Sequence, residues 1–370
     1  MQFAGIDPRT NKFTCCYRNE NSPLDGKDGK LTGTFELTGY GLAAFYQTLT
    51  PETYVLIEAT NPAFSFVRLI QPLVKEAIAA NTYELKQTSP ARKKTGKTGA
   101  DKLRRILKTR ILSGEQAVSA VTVPPTEIQE LRALFSACRL YRKQAVQYKN
   151  RIRSLLKENL CGFTREEIFD KKNRETIWGI AGGAVLSCQT NDLPGLLENL
   201  EVRITPLQDR IKELSGPCMR EIEILAGMKG AGVFIAAAVI ADIIRVGRFK
   251  DSKSAAPYLR SAPGAAASNT SAGSRGTSRK GRKMSAALIT QSLNHVLKAS
   301  PKLNKRHARL AKYRKTGLVG TAPRRRVFAE IYQMLKKEEY HYDRDVRNHE
   351  AKLLQYRKFL EKRKVFLETA

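Results

Sequence analysis

Apolar residues in the first part of the chain come in short runs separated by turn-forming residues. Gln2 to Ile6, Phe13 to Tyr17 and Leu31 to Leu37 read as strands. Tyr40 to Leu49 reads as a helix, Tyr54 to Ile57 as a buried strand and Phe64 to Ala80 as a second helix. Three strands joined by short turns, then helix, strand and helix, predict a mixed sheet that begins as a meander and continues through crossover helices. After Val123-Pro124-Pro125 the period changes. Ile128, Leu131, Leu134, Phe135, Cys138, Tyr141, Ala145, Tyr148, Ile152 and Leu155 recur at three- and four-residue steps. They predict a helix from Thr126 to Leu160, about 50 Å long at ~1.5 Å per residue. Leu197, Leu200, Ile204, Leu207, Ile211 and Leu214 form a heptad seam that Pro206 is expected to kink or restart. The two segments are expected to pair as an antiparallel coiled coil. Apolar stripes at this spacing build cores, so no chemistry is assigned to them.

The charge changes the picture from a fold to a partner. Lys and Arg number 65 against 35 Asp and Glu, a formal net charge of +30 over 370 residues. That much unbalanced positive charge calls for a polyanion, and nucleic acid is the default one. It is also concentrated. Ser252 to Ala329 holds 18 Lys and Arg with no acid, and Arg92 to Arg110 holds nine against the single Asp101. A merely solvated surface would interleave the signs. Before the acid-free run, a turn with Gly227, Gly230 and Gly232 precedes an Ala/Val/Ile-rich helix. It resembles a helix-hairpin-helix, in which glycines let backbone N–H groups approach a phosphate; the plainer reading is helix punctuation.

Other classes are excluded by what the sequence lacks. No apolar run reaches the roughly 18–20 residues of a membrane span, and the first residues lack the layout of a signal peptide. A cytoplasmic protein without a membrane partner is expected. The six cysteines form no Cys-x-x-Cys pair and the four histidines no zinc-ligand spacing, so reduced, mostly buried thiols are expected.

Two-metal phosphodiester chemistry needs carboxylates from separate strand ends, since each Mg²⁺ takes oxygen ligands and leaves positions for phosphate and water. Asp7 closes the first strand in "FAGID" and Glu58 closes the fourth in "YVLIEA". Either the two share a metal, or each is a plain strand-end acid. "GIDPRTNKF", "IEATNPAF", "TGKTGADKLRRIL" and "ADIIRVGRFKDSKSAAPYLRSAP" resemble, in that order, the DEDD insertion-sequence transposases guided by a bridge RNA. That resemblance implies a RuvC-like domain of RNase H fold, a coiled coil, and a C-terminal domain with a nucleophilic serine. It also implies that Asp7, Glu58 and a third acid hold Mg²⁺ or Mn²⁺. The chain departs from the pattern at Gly99 and Lys102, where the family has aspartates; Asp101 then serves either as the third metal ligand or as a helix-start residue. The serine position falls on Ser268, with Ser271 second, as a nucleophile or as part of a flexible RNA-contacting loop.

The next stretch, "SRGTSRKGRKMSAALITQSLNHVL", resembles the Nop domain of box C/D ribonucleoproteins, a guide-RNA binder. RuvC-like, coiled-coil and Nop-like parts together resemble the Tas effectors, RNA-guided DNA-targeting proteins. The expected organisation is a RuvC-like α/β domain over 1–118, a helical coiled-coil region over 119–216, and a helix-hairpin-helix/Nop-like domain over 217–370. The expected activity is guided cleavage by Asp7, Glu58 and Asp101, with guide RNA and target DNA as partners in a homodimer. The alternatives are serine-based transposition through Ser268 and a non-catalytic RNA-binding protein. Lys97, Gly230, Gly232, Arg275, Arg279, Lys280, Arg282, Lys283, Arg306, Arg309, Arg324, Arg325 and Arg326 are the expected nucleic-acid contacts.

Overall fold

Side chains that alternate between two buried faces organise the first unit into one sheet. The computed structural model describes residues 1–19, 31–60, 62–87, 96–170, 172–173, 177, 187–268, 271–277, 281–311 and 321–363. Its contacts divide the chain into two units, Met1–Pro125 and Thr126–Ala370.

In the first unit β1 (Gln2–Pro8), β2 (Lys12–Asn19) and β3 (Leu31–Glu36) form the expected antiparallel meander. Helix α1 (Gly39–Tyr46) leads to β4 (Thr53–Glu58), which pairs parallel to β1. Helix α2 (Ala63–Ile70) leads to β5 (Glu76–Ala80), parallel to β4. After α3 (Thr82–Gln87) and α4 (Gly96–Ser113), the short β6 (Ala120–Val121) closes the order β3-β2-β1-β4-β5-β6. One face of the sheet buries Ala4, Ile6, Phe13, Cys15, Val55 and Ile57 against Phe45 of α1 and Phe66, Val67 and Ile70 of α2. The other buries Phe3, Leu56, Ile78 and Ala80 against Leu103 and Leu107 of α4.

Two boundaries differ from the sequence reading. The helix expected from Phe64 to Ala80 stops at Ile70, because Pro72 sits in a 3-10 turn over Gln71–Leu73 and the chain leaves it extended as β5. Residues 119–125 group with the sheet, since β6 pairs with β5.

The second unit is mostly helical. Helix α5 (Thr126–Glu158) packs against α7 (Ser187–Leu214), with α6 (Arg165–Phe169) between them in sequence. Leu131, Phe135 and Cys138 cluster with Ile204, Leu207 and Ile211, whereas Ala145, Ile152 and Leu156 cluster with Leu197 and Leu200, so the helices run antiparallel. The residues of the expected heptad seam are the ones that meet α5. Pro206 lies inside α7 without dividing it. Helices α8 (Met219–Ala226) and α9 (Val233–Ile243) flank the glycine turn, and α10 (Ser252–Tyr258) follows. The Ala/Ser/Gly stretch expected as a loop forms a hairpin of β7 (Pro263–Ser268) and β8 (Ser271–Thr277), held by main-chain pairing that needs no large side chains. Helices α11 (Met284–Ala299), α12 (Pro301–Ala311), α13 (Thr321–Lys337) and α14 (Val346–Lys362) complete the unit. Its core joins Ile222, Leu225, Ile240, Ile289, Val327, Ile331 and Leu360. Cys15, Cys16 and Cys138 are buried thiols outside any disulfide, as expected; Cys161 and Cys218 are likewise unbridged and partly exposed. No described helix is long and apolar enough to cross a membrane.

Candidate functional site

Parallel pairing of β1 with β4 matches Gln2 to Thr53 through Ile6 to Ile57. One step further along the same register, Asp7 and Glu58 stand side by side at the strand ends. Strand alternation puts them on the face that carries Phe3 and Leu56, the face covered by α4. Gly5 allows that cover to be close: a Cβ there would collide with the Ala100 carbonyl and the Arg104 amide of α4. Asp7 keeps a side-chain exposure of 18% and has Arg9 at 3.9 Å.

Helix α4 settles where the neighbouring motif residues go. A Cβ on Gly99 would stand 2.7 Å from Asp7 Oδ2, so position 99 faces the strand-end acid. Asp101 is turned elsewhere. Its side chain is 9% exposed and pairs with the buried Arg104 at 3.0 Å and with Arg105 at 3.0 Å, while the Cys16 thiol donates to it at 3.5 Å. Lys102 donates to the Leu85 carbonyl at 2.7 Å, at the end of α3. Among the described residues no group of three His, Cys, Asp or Glu side chains is placed to hold a metal ion. The structure thus brings Asp7 and Glu58 together and directs Asp101 to two guanidinium groups. The pair that remains suits a single hard cation completed by substrate phosphate and water, a common arrangement for Mg²⁺; Asp101, with both oxygens committed, does not fit as a ligand.

The expected nucleic-acid contacts divide by their surroundings. Lys97, Lys283, Arg309 and Arg325 are exposed. Arg324 is built into the fold, donating to the Arg260 carbonyl at 2.7 Å and the Thr290 hydroxyl at 2.9 Å. Arg326 pairs with Glu330 at 3.1 Å. Gly230 has φ +82°, and a Cβ on it would press on Val296 of α11, so the turn's glycine serves close packing. Gly232 precedes α9 with open space where a Cβ would be. Ser268 and Ser271 are the last pair of the hairpin, and Arg275 lies on β8. Arg306 lies on α12, and Arg279 and Lys280 fall outside the described residues.

Arg282 belongs to a cleft that the sequence reading did not contain. A cavity of about 440 Å³ lies between α5 and the start of α11, lined by Arg132, Arg139, Lys143, Arg260, Arg282 and Lys283 around Asp242. Asp242 is 1% exposed and fully used: one oxygen accepts from Arg282 Nε at 3.0 Å, the other from the Ser285 amide at 2.9 Å and hydroxyl at 2.8 Å. Arg132 donates to the Ala241 and Asp242 carbonyls at 2.6 and 3.2 Å, capping the end of α9. Burial, and then the nearby charge of Arg282, push the Arg132 guanidinium below its ordinary pKa. The available signal was the spacing of Arg132, Arg139 and Lys143 on one side of a helix whose other side is the apolar seam.

Residues 222–308 match the family described as Transposase IS116/IS110/IS902. The transposase match covers less than half of the chain and runs from within α8 into α12, taking in the glycine turn, Asp242, the β7–β8 hairpin with Ser268, and Arg282. It supports a transposase-related role. The α/β unit with Asp7 and Glu58 lies outside it. Among curated proteins, nothing matches the chain.

Proposed function

We propose that the chain is an RNA-guided, DNA-targeting relative of the insertion-sequence transposases. Its helical unit holds nucleic acid, and its Asp7/Glu58 pair serves phosphodiester cleavage. The observation that carries the chemical part is the β1–β4 register, which sets two acids next to each other on the face under a basic helix. The order β3-β2-β1-β4-β5, antiparallel then parallel, supports an RNase H-like and RuvC-like reading of that unit. The α5–α7 pair is read as an antiparallel coiled coil, and the unit from α8 onward as the guide-RNA binder related to Nop domains. Asp7 and Glu58 would hold Mg²⁺, which when bound polarises a phosphate and activates water. The protein's own share is to orient the two carboxylates through strand pairing and to offer Lys97 and Arg9 as cations near the phosphate.

A second reading, guided binding without cleavage, is favoured by two observations on α4. Position 99 faces Asp7 but carries no side chain, and Asp101 is bound by Arg104 and Arg105. Sequencing the RNA that copurifies with the protein tests the guide. The proposal expects one defined small RNA, and random cellular RNA would contradict it. Incubating that complex with matching DNA and Mg²⁺ separates the readings. Free 5′-phosphate and 3′-hydroxyl ends are expected from the Asp7/Glu58 site, intact bound DNA from the second reading, and a covalent serine adduct from transposition through Ser268.

A further inference from the structure

We infer that the cleft between α5 and the start of α11 is a track for the phosphodiester backbone of one nucleic-acid strand. It rests on the nucleic-acid part of the proposed function and not on cleavage. Six cations face one carboxylate there, and Asp242 has no oxygen to spare because Arg282 and Ser285 occupy both. Arg132 and Arg282 stand close enough for one charge to disfavour the other. A concave site with uncompensated like charges focuses a field that a polyanion relieves, with release of counterions on binding.

The shape favours a strand over a small anion. Arg132, Arg139 and Lys143 lie along one side of α5 and span about 16 Å at ~1.5 Å per residue, long enough to meet several successive phosphates of one strand. A lone sulfate-sized anion would satisfy one end of that row and leave the other uncompensated. Arg132, Arg260 and Arg282 are anchored by their own hydrogen bonds to the fold, which presents their charge with little entropy left to lose. The floor, with Phe135, Ala238 and Met284, supplies apolar surface and no competing acid.

The test uses Arg139→Glu with Lys143→Glu, two exposed positions on the rim. The control is Arg153→Glu with Lys157→Glu, an equal charge change at exposed positions of the same helix outside the cleft. Affinity for a short oligouridylate and an oligothymidylate of equal length is measured across salt concentrations, with polyglutamate as competitor. The inference expects the rim variant to lose about tenfold or more in affinity and about one to two units of salt slope, with the control changing by less than about threefold. The polymer that suffers the larger loss identifies RNA or DNA as the strand. Equal losses in rim and control variants, with wild-type binding intact, would overturn the track while leaving the proposed function standing. Displacement by polyglutamate as effective as by nucleic acid would overturn it in favour of an acidic protein partner. No binding of either polymer by the wild type would overturn the inference together with the nucleic-acid reading.

Discussion

Asp101 in the α/β unit and Asp242 in the helical unit are both buried and both bonded to arginine, yet they leave opposite surroundings. Asp101 gathers two guanidinium groups and the Cys16 thiol, so the basic helix α4 is internally compensated at that point. Asp242 spends one oxygen on Arg282 and the other on Ser285, and among the residues that line the cleft it is the single acid against six cations. What each acid is bonded to, more than the number of acids, decides whether a region presents negative or positive charge.

The strongest way to break this comparison is Asp242→Ala. It removes a buried carboxylate that holds the first turn of α11, and should cost about 3 kcal/mol, because the buried Ser285 amide and hydroxyl both lose their acceptor while the half-exposed Arg282 can turn to water. Urea unfolding measures it; a loss under about 1 kcal/mol would mean the cleft does not need its acid. Asp101→Asn comes next. It keeps the shape but weakens charged bonds to the buried Arg104, so about 2 kcal/mol of stability should go while cleavage per folded molecule stays the same. Unchanged stability with lost cleavage would return Asp101 to the metal site.

Gly99→Asp sharpens the contrast with a smaller effect. A third carboxylate beside Asp7 and Glu58 should destabilise the metal-free protein by about 1 kcal/mol, and Mg²⁺ should restore it by binding only the folded state. Thermal melts with and without Mg²⁺ report it, and no added Mg²⁺ dependence would show that position 99 does not address the site. The smallest effect belongs to His349. Burial lowers its pKa below the ordinary 6.5, its Nε2 meets the Glu223 carbonyl, and its Nδ1 has no partner among the described residues. The unfolded chain therefore takes up the proton first. The stability that the neutral ring contributes is complete above about pH 6.5 and is lost as pH falls toward the folded value. His349→Gln should flatten that fall in denaturation midpoints across pH.

Sequence patterns made the sheet legible where they carry strong local signals. The turns around the meander, the apolar "YVLIEA" run and the three- and four-residue steps of α5 each specify their element without help from distant residues. The segment 64–80 was misread because its apolar residues suit a helix and a strand equally, and Pro72 was the punctuation that mattered. The hairpin over 263–277 escaped because Ala, Ser and Gly give no alternation. At the candidate site, the adjacency of Asp7 and Glu58 was legible because the ends of neighbouring parallel strands share an edge. Asp101 could not be resolved, since an acid three and four residues before arginines reads equally as a ligand and as a helix ion pair. The cleft was illegible for a different reason: its cations come from segments more than a hundred residues apart, 132–143 and 260–283, which only the fold brings together.

Cleavage by the Asp7→Ala variant decides whether the strand-end acids do chemistry on the bound strand. At saturating nucleic acid and Mg²⁺, this variant should bind matched DNA as the wild type does and cut none of it. Cleavage at the wild-type rate would contradict the account.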